Sequence, residues 1–251
     1  MGRTYKNFKV TVPDPRLATI NKRLKDIKRV IVVVGGKGGV GKSLIATTLS
    51  LVLSKRGHSV GLLDLDFHGP SCHTILDAKG VMPTEGEGII PPEIHGIKLM
   101  SVVYYVGEKP LPLRGTEISN VFTELLAITK WGRTDYLIVD APPGMGEEIL
   151  DVIRLMKKGE FLIVTTPSNL ALKTMSRLVK LLLEIRVPVL GIVENMRITK
   201  TKLTEELAKG LDIKYLGYVS FDYNLEGCIS NPKKLLKTKF ADNVKNILKV
   251  V

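Results

Sequence analysis

Residues 29–50 read RVIVVVGGKGGVGKSLIATTLS. The run VIVVV at 30–34 is unbroken and β-branched, the composition of a strand buried on both faces. The following stretch predicts a helix over 42–56, closed by Gly57. Between them, Gly36, Lys37, Gly38, Gly39, Val40, Gly41, Lys42 and Ser43 fit the phosphate-loop pattern G-x-x-x-x-G-K-[ST]. The physics follows from the placement. Glycines let the backbone wrap so that its N–H groups point at phosphate oxygens. The N-terminus of the next helix adds partial positive charge. Lys42 is expected to reach the β- and γ-phosphates, and the Ser43 hydroxyl to ligate Mg²⁺. A second lysine, Lys37, stands in the same turn. A cation in a tight turn beside another cation is unfavourable unless an anion meets it.

Working outward, the sequence alternates strands and helices. Residues 14–28 carry Leu17, Ile20, Leu24 and Ile27 at helical spacing, with Asp14 as N-cap and Pro15 at the first helical position. Strands are predicted at 59–66, 97–103, 136–140, 161–165, 188–195 and 214–218. Helices are predicted at 117–130, 147–158, 171–185, 201–209 and 233–250. The Gly- and Pro-rich stretch 79–116 reads as an irregular excursion around the strand at 97–103. Such alternation predicts an α/β fold, a P-loop NTPase with a doubly wound, mostly parallel sheet and helices on both faces. No linker interrupts it. One domain over 1–251 is expected, with a short helical extension over about 1–28.

Three aspartates end strands where phosphate chemistry wants them. Asp140 closes YLIVD, which reads as a Walker B strand whose carboxylate holds Mg²⁺ directly or through water. Asp64 and Asp66 close the second strand in LLDLDFHGPS. Their i, i+2 spacing sends both to the same side of an extended chain. One of them is expected near Mg²⁺ while the other directs the attacking water. The segment APPGMGEE after Asp140 reads as a switch loop.

Composition narrows the class. The chain has 251 residues, 44% hydrophobic and 25% charged, an ordinary globular balance. No apolar run is long enough to span a bilayer. The first residues, MGRTYKNFKV, lack the apolar core of a secretory signal, so a cytoplasmic location is expected. Cys72 and Cys228 cannot form a disulfide framework. A net charge of +12 invites nucleic-acid binding, but the lysines are scattered and not interleaved with aromatics, so nucleic acid is not an expected partner. The last helix has an apolar stripe among lysines; packing on the sheet accounts for it, and a membrane partner is not expected. Trp131, Tyr104 and Tyr105 read as core or interface residues.

The spelling KGGVGKS resembles the deviant Walker A loop of the MinD/ParA/Mrp class of ATPases. DPRLATINKRLKDIKRVIVVVGGKGGVGKS, VGLLDLDFHGPS, LRGTEIS, WGRTDYLIVDAPPGMGEE, TTPSNLAL and VPVLGIVENM together resemble the Mrp/ApbC family over about residues 14–245. The resemblance implies a homodimeric ATPase with slow turnover, using ATP and Mg²⁺ and acting in iron–sulfur cluster assembly or transfer. It implies that Lys37 reaches the partner subunit's nucleotide, that Asp66 directs the water and Asp64 lies near Mg²⁺, and that Asn195 reads the adenine. Scaffold or recipient proteins for the cluster are the further partners it implies. The sequence departs from the family in one informative place. Typical members carry C-x-x-C shortly after ENM to hold a bridging [4Fe–4S] cluster. Here ENMRITKTKLTEELAKG contains no cysteine. Cys72, near His68 and His73, and Cys228 are the remaining thiols, and neither shows ligand spacing. Lys173 stands where the family often has an acid, and Ser220 where proline is usual. A MinD/ParA-like switch that binds a partner, membrane or DNA without carrying a cluster is the alternative.

Overall fold

The computed structural model describes residues 14–106 and 115–250. Residues 1–13 of the expected extension, 107–114 of the excursion and Val251 lie outside them. In chain order the elements are α1 Pro15–Lys25, β1 Ile27–Gly35, α2 Lys42–Lys55, β2 Val60–Asp64, α3 Cys72–Ile75, β3 Thr84–Gly86, β4 Gly88–Ile90, β5 Glu93–Ile94, β6 Ile97–Ser101 and α4 Val103–Val106. They continue with α5 Thr116–Ile128, β7 Thr134–Asp140, α6 Glu147–Leu155, β8 Gly159–Thr165, α7 Asn169–Ile185, β9 Val189–Arg197, α8 Leu203–Gly210, β10 Tyr215–Ser220, α9 Pro232–Leu235 and α10 Lys239–Ile247.

Among the described residues, eight strands form one sheet in the order β10-β9-β8-β1-β7-β2-β6-β5, with β5 alone antiparallel to its neighbour. β1 is central, and its alternation explains both layers. Val30, Val32 and Val34 join the core built with α1, α5, α6 and α7. Ile31 and Val33 join the core built with α2, α3, α9 and α10. All of these side chains are buried, which is why the run from Val30 to Val34 is apolar at every position. The carboxyl ends of the parallel strands therefore meet at one edge, where α/β sheets place their ligands.

The structure departs from the expectation in several places. α1 stops at Lys25, and Ile27 belongs to β1, where it pairs with Thr134 of β7. The excursion holds a short antiparallel hairpin, β3–β4, turned at Glu87 with Gly88 at φ 135°. β2 ends at Asp64, two residues early. The last helix is two helices, because the Thr238 side chain accepts from Ala241 N–H and starts a new one. Leu235, Phe240, Val244 and Ile247 are all buried against the sheet, so the apolar stripe of α10 is already used. No described helix is long and apolar enough to cross a membrane. Trp131 lies in the core, its ring where a Cβ on Gly61 would otherwise sit.

Candidate nucleotide site

The loop between β1 and α2 is shaped by two glycines above all. Gly41 caps α2 in the left-handed region at φ 80°, and a Cβ there would lie 2.2 Å from Asn195 Nδ2. A Cβ on Gly36 would lie 2.7 Å from the backbone of Thr174 in α7. The loop is thus clamped by β9 on one side and α7 on the other. Asn195 sits at the carboxyl end of β9, buried, and donates from Nδ2 to the Val40 carbonyl at 2.8 Å. In this structure its amide holds the loop.

Above the loop lies a cleft of about 540 Å³, lined by residues of the loop from Lys37 to Leu44 together with Asp66, His68, Pro143 and Ile229. Lys42 is buried at its floor. Its ammonium lies 2.5 Å from Asp140 Oδ1 and 3.6 Å from Asp66 Oδ2. Burial pulls the Lys42 pKa down, but Asp140, Asp66 and Asp64 more than offset it, and the lysine is charged. Asp140 is pushed upward by burial and drawn back by Lys42 and by a hydrogen bond from Ser43. Lys37 is half-buried at the cleft and makes no hydrogen bond or ion pair with any described residue.

The two strand-end aspartates separate. Asp64, the last residue of β2, is fully buried. Its Oδ1 accepts from Asp66 N–H, and its Oδ2 accepts from Ser71 and Cys72 N–H at the start of α3. Burial, and then the charge of Asp140, push its pKa up to about 7. Asp66 lies past the strand end. Its Oδ1 accepts from His68 and Gly69 N–H, while Oδ2 faces Lys42 across the cleft. Both carboxylates act on Lys42, but they take different backbone partners. Asp66 lines the cleft and Asp64 does not. Asp64 thus anchors the start of α3 from a position beside Asp140, and its expected place near Mg²⁺ stays a proposal.

Cys72 is also fully buried, and its thiol donates to Asp140 Oδ2 at 3.6 Å. Asp64, Cys72 and Asp140 lie close enough to share an ion. Burial and the two carboxylates push the thiol pKa well up, however, whereas cluster binding requires a thiolate. Cys228 is partly exposed and donates to the Asn224 carbonyl at 3.4 Å. The residues present therefore do not fit a [4Fe–4S] cluster on this chain. They do fit Mg²⁺. Ser43 and Asp140 are oxygen donors of the kind it takes, brought within hydrogen-bonding reach of each other.

Two contacts at the site were not expected from sequence. His68 Nε2 lies 3.5 Å from Glu148 in the first turn of α6, tying the Asp66 loop to the segment after Asp140. Ile229 reaches the cleft from the chain after β10, a segment joined to Thr74 by the Ser230 hydroxyl. Both contacts link segments far apart in sequence, where no local pattern signals them.

A buried phosphate-loop lysine held on a Walker B carboxylate, at the central strand of a parallel sheet, is the architecture of a P-loop NTPase. The sequence pattern of the NUBPL iron-transfer P-loop NTPases, within the ParA group, matches residues 26–251. The chain belongs to this family. The iron–sulfur cluster carrier protein of Methanocaldococcus jannaschii is 32% identical over 251 residues, covering 92% of this chain and 87% of its own. That of Aquifex aeolicus is 38% identical over 179 residues, covering 70% of this chain and 49% of its own, so the match spans about half of that relative. Among solved structures, a nucleotide-binding protein from Archaeoglobus fulgidus in complex with ADP has a TM-score of 0.77 at 28% identity, covering 90% of this chain and 95% of that one. The Mrp/ApbC resemblance and the P-loop fold are thereby established. Membership places the chain among the NTPases.

Proposed function

We propose that this protein is a homodimeric Mg-ATPase acting in iron–sulfur cluster assembly or transfer, with its cluster thiolates supplied by a partner protein. The observation that carries the ATPase part is the Lys42–Asp140 pair, 2.5 Å long and buried beneath an open phosphate cleft. A buried cation and anion hold each other in place until a stronger partner arrives. Triphosphate offers Lys42 a more highly charged anion, and the exchange frees Asp140 to join Ser43 in holding Mg²⁺. Mg²⁺ supplies charge neutralisation of the phosphates and positions them. Asp66 holds Oδ2 toward the cleft, where it orients and accepts a proton from the attacking water. Lys37, with no anion among the described residues of its own chain, serves the nucleotide of the second subunit, stabilising charge on the transferring phosphoryl group. The adenine lies toward Asn195, whose Oδ1 remains an acceptor. Cytoplasmic location is part of the same proposal.

The relatives named as cluster carriers motivate the physiological part. The buried Cys72 and the single partly exposed Cys228 motivate the partner-supplied thiolates. Two variants test the lysine assignments. Lys42→Ala should abolish nucleotide binding in isothermal titration. Lys37→Ala should keep binding but lose turnover and ATP-dependent dimerisation in analytical ultracentrifugation. Normal turnover by Lys37→Ala removes the cross-subunit role.

A further inference from the structure

A second groove, of about 510 Å³, lies at the carboxyl ends of β9 and β10 and shares no lining residue with the phosphate cleft. The segment from Arg197 to Lys202 forms one wall, and Tyr218 and Ser220 form the other. Its charge is one-sided. Lys200 and Lys202 are exposed, and their ammonium groups make no hydrogen bond or ion pair with any described residue. Lys202 also occupies the N-cap of α8, where the helix end is itself positive. Glu205 on the rim is the one lining acid. Arg197 is spoken for. It pairs with buried Glu194 at 3.2 Å and lies 4.3 Å over the Tyr218 ring, which fixes both side chains.

Beside these cations stand apolar side chains that the fold leaves in water. Ile198 is 72% exposed and Leu203 47%. Phe221 donates its N–H to the Arg197 carbonyl, which sets the Phe221–Tyr223 edge-to-face ring pair next to the groove. Tyr, Phe and Arg around an apolar centre, with a charged rim, is the composition that protein interfaces favour.

We propose that this groove docks an acidic segment of a partner protein, its carboxylates on Lys200 and Lys202 and an apolar side chain against Ile198 and Leu203. A second copy meeting this groove with its own would set Lys200 and Lys202 against the same lysines, like charge on like. Nucleic-acid phosphates match the lysines but gain nothing from Ile198 and Leu203. One face of the Tyr218 ring is also taken, by Arg197. Docking here needs no nucleotide chemistry, so it stands or falls separately from the ATPase.

Fluorescence anisotropy with a labelled 15-residue peptide of alternating Glu, Leu, Asp and Phe tests this. Its Lys-for-acid counterpart and a single-stranded dT20 serve as comparison probes. The acidic peptide should bind the full chain. The double variant K200E/K202E and, separately, Ile198→Ser should each weaken it by about tenfold or more. Both changes are on exposed side chains, and unchanged thermal melts confirm the fold. Three results overturn the proposal: no binding of the acidic peptide, equal binding to K200E/K202E, or tighter binding of dT20 with loss in the same variants. The last would make nucleic acid the occupant.

Discussion

Gly41→Ala isolates the geometry that shapes the phosphate loop. At φ 80° an alanine costs about 1–2 kcal/mol relative to glycine. Its Cβ would also stand 2.2 Å from Asn195 Nδ2, so that side chain must move. Moving it breaks the 2.8 Å bond to the Val40 carbonyl and leaves buried polar groups unpaired, at about 1–3 kcal/mol. The sum is about 2–5 kcal/mol, a large fraction of a typical folding stability of about 5–15 kcal/mol. Urea denaturation of the nucleotide-free protein measures it directly. A double-mutant cycle with Asn195→Ala separates the parts. Removing the Asn195 side chain relieves the collision, so Gly41→Ala should cost about 1–2 kcal/mol in that background and the two changes should couple strongly. The reasoning fails if Gly41→Ala costs under about 0.5 kcal/mol, or if its cost is the same with and without Asn195.

Further outcomes follow from other residues. Thr238→Ala removes the side-chain cap of α10 and should destabilise the protein by about 1 kcal/mol in the same denaturation assay, with Thr238→Ser retaining most of it. Asp64 has a pKa of about 7 in the folded protein against an ordinary 3.8, so between those values the folded state binds the extra proton. Stability should therefore fall as pH rises from about 5 through 7, and thermal melts across that range should show the slope flattened in Asp64→Asn. Asp140→Ala leaves the buried Lys42 ammonium without its 2.5 Å partner and should cost about 3–5 kcal/mol in the apo protein. Added ATP should recover part of that loss, read as a larger nucleotide-induced rise in melting temperature than wild type shows.

Most of the fold is legible in the sequence because its signals are local. The β-branched run of β1, the Gly41-Lys42-Ser43 turn and the Asp14–Pro15 cap each announce an element within a few residues. What was illegible depends on distant partners or on where an element stops. Periodicity alone carries the final apolar stripe straight through Thr238, whose capping bond restarts the helix. Ile27 fits the helical spacing of α1 but is claimed by its pairing with Thr134. Strands of three residues, such as β3 and β4, hold too few positions to show a period. In the site, Lys42 at the start of α2 and Asp66 just past β2 converge on Asp140, the last residue of β7, because the strands that lead to them are neighbours. Asp64 lies beside Asp140 as well, but no short pattern announces its bonds to the start of α3. The bond from Asn195 to Val40 spans 155 positions, and no short pattern encodes it.

The central claim is that this chain works in cluster transfer without holding the cluster on cysteines of its own. Anaerobic reconstitution of the purified protein with iron and sulfide, followed by absorption spectra and iron and sulfide analysis, tests it most directly. The account predicts no stable cluster on the wild type, with Mg-ATP or without it. A cluster in stoichiometric yield that disappears in the Cys72→Ser, Cys228→Ser double variant would contradict it, and would require the buried thiol beside Asp140 to open toward solvent.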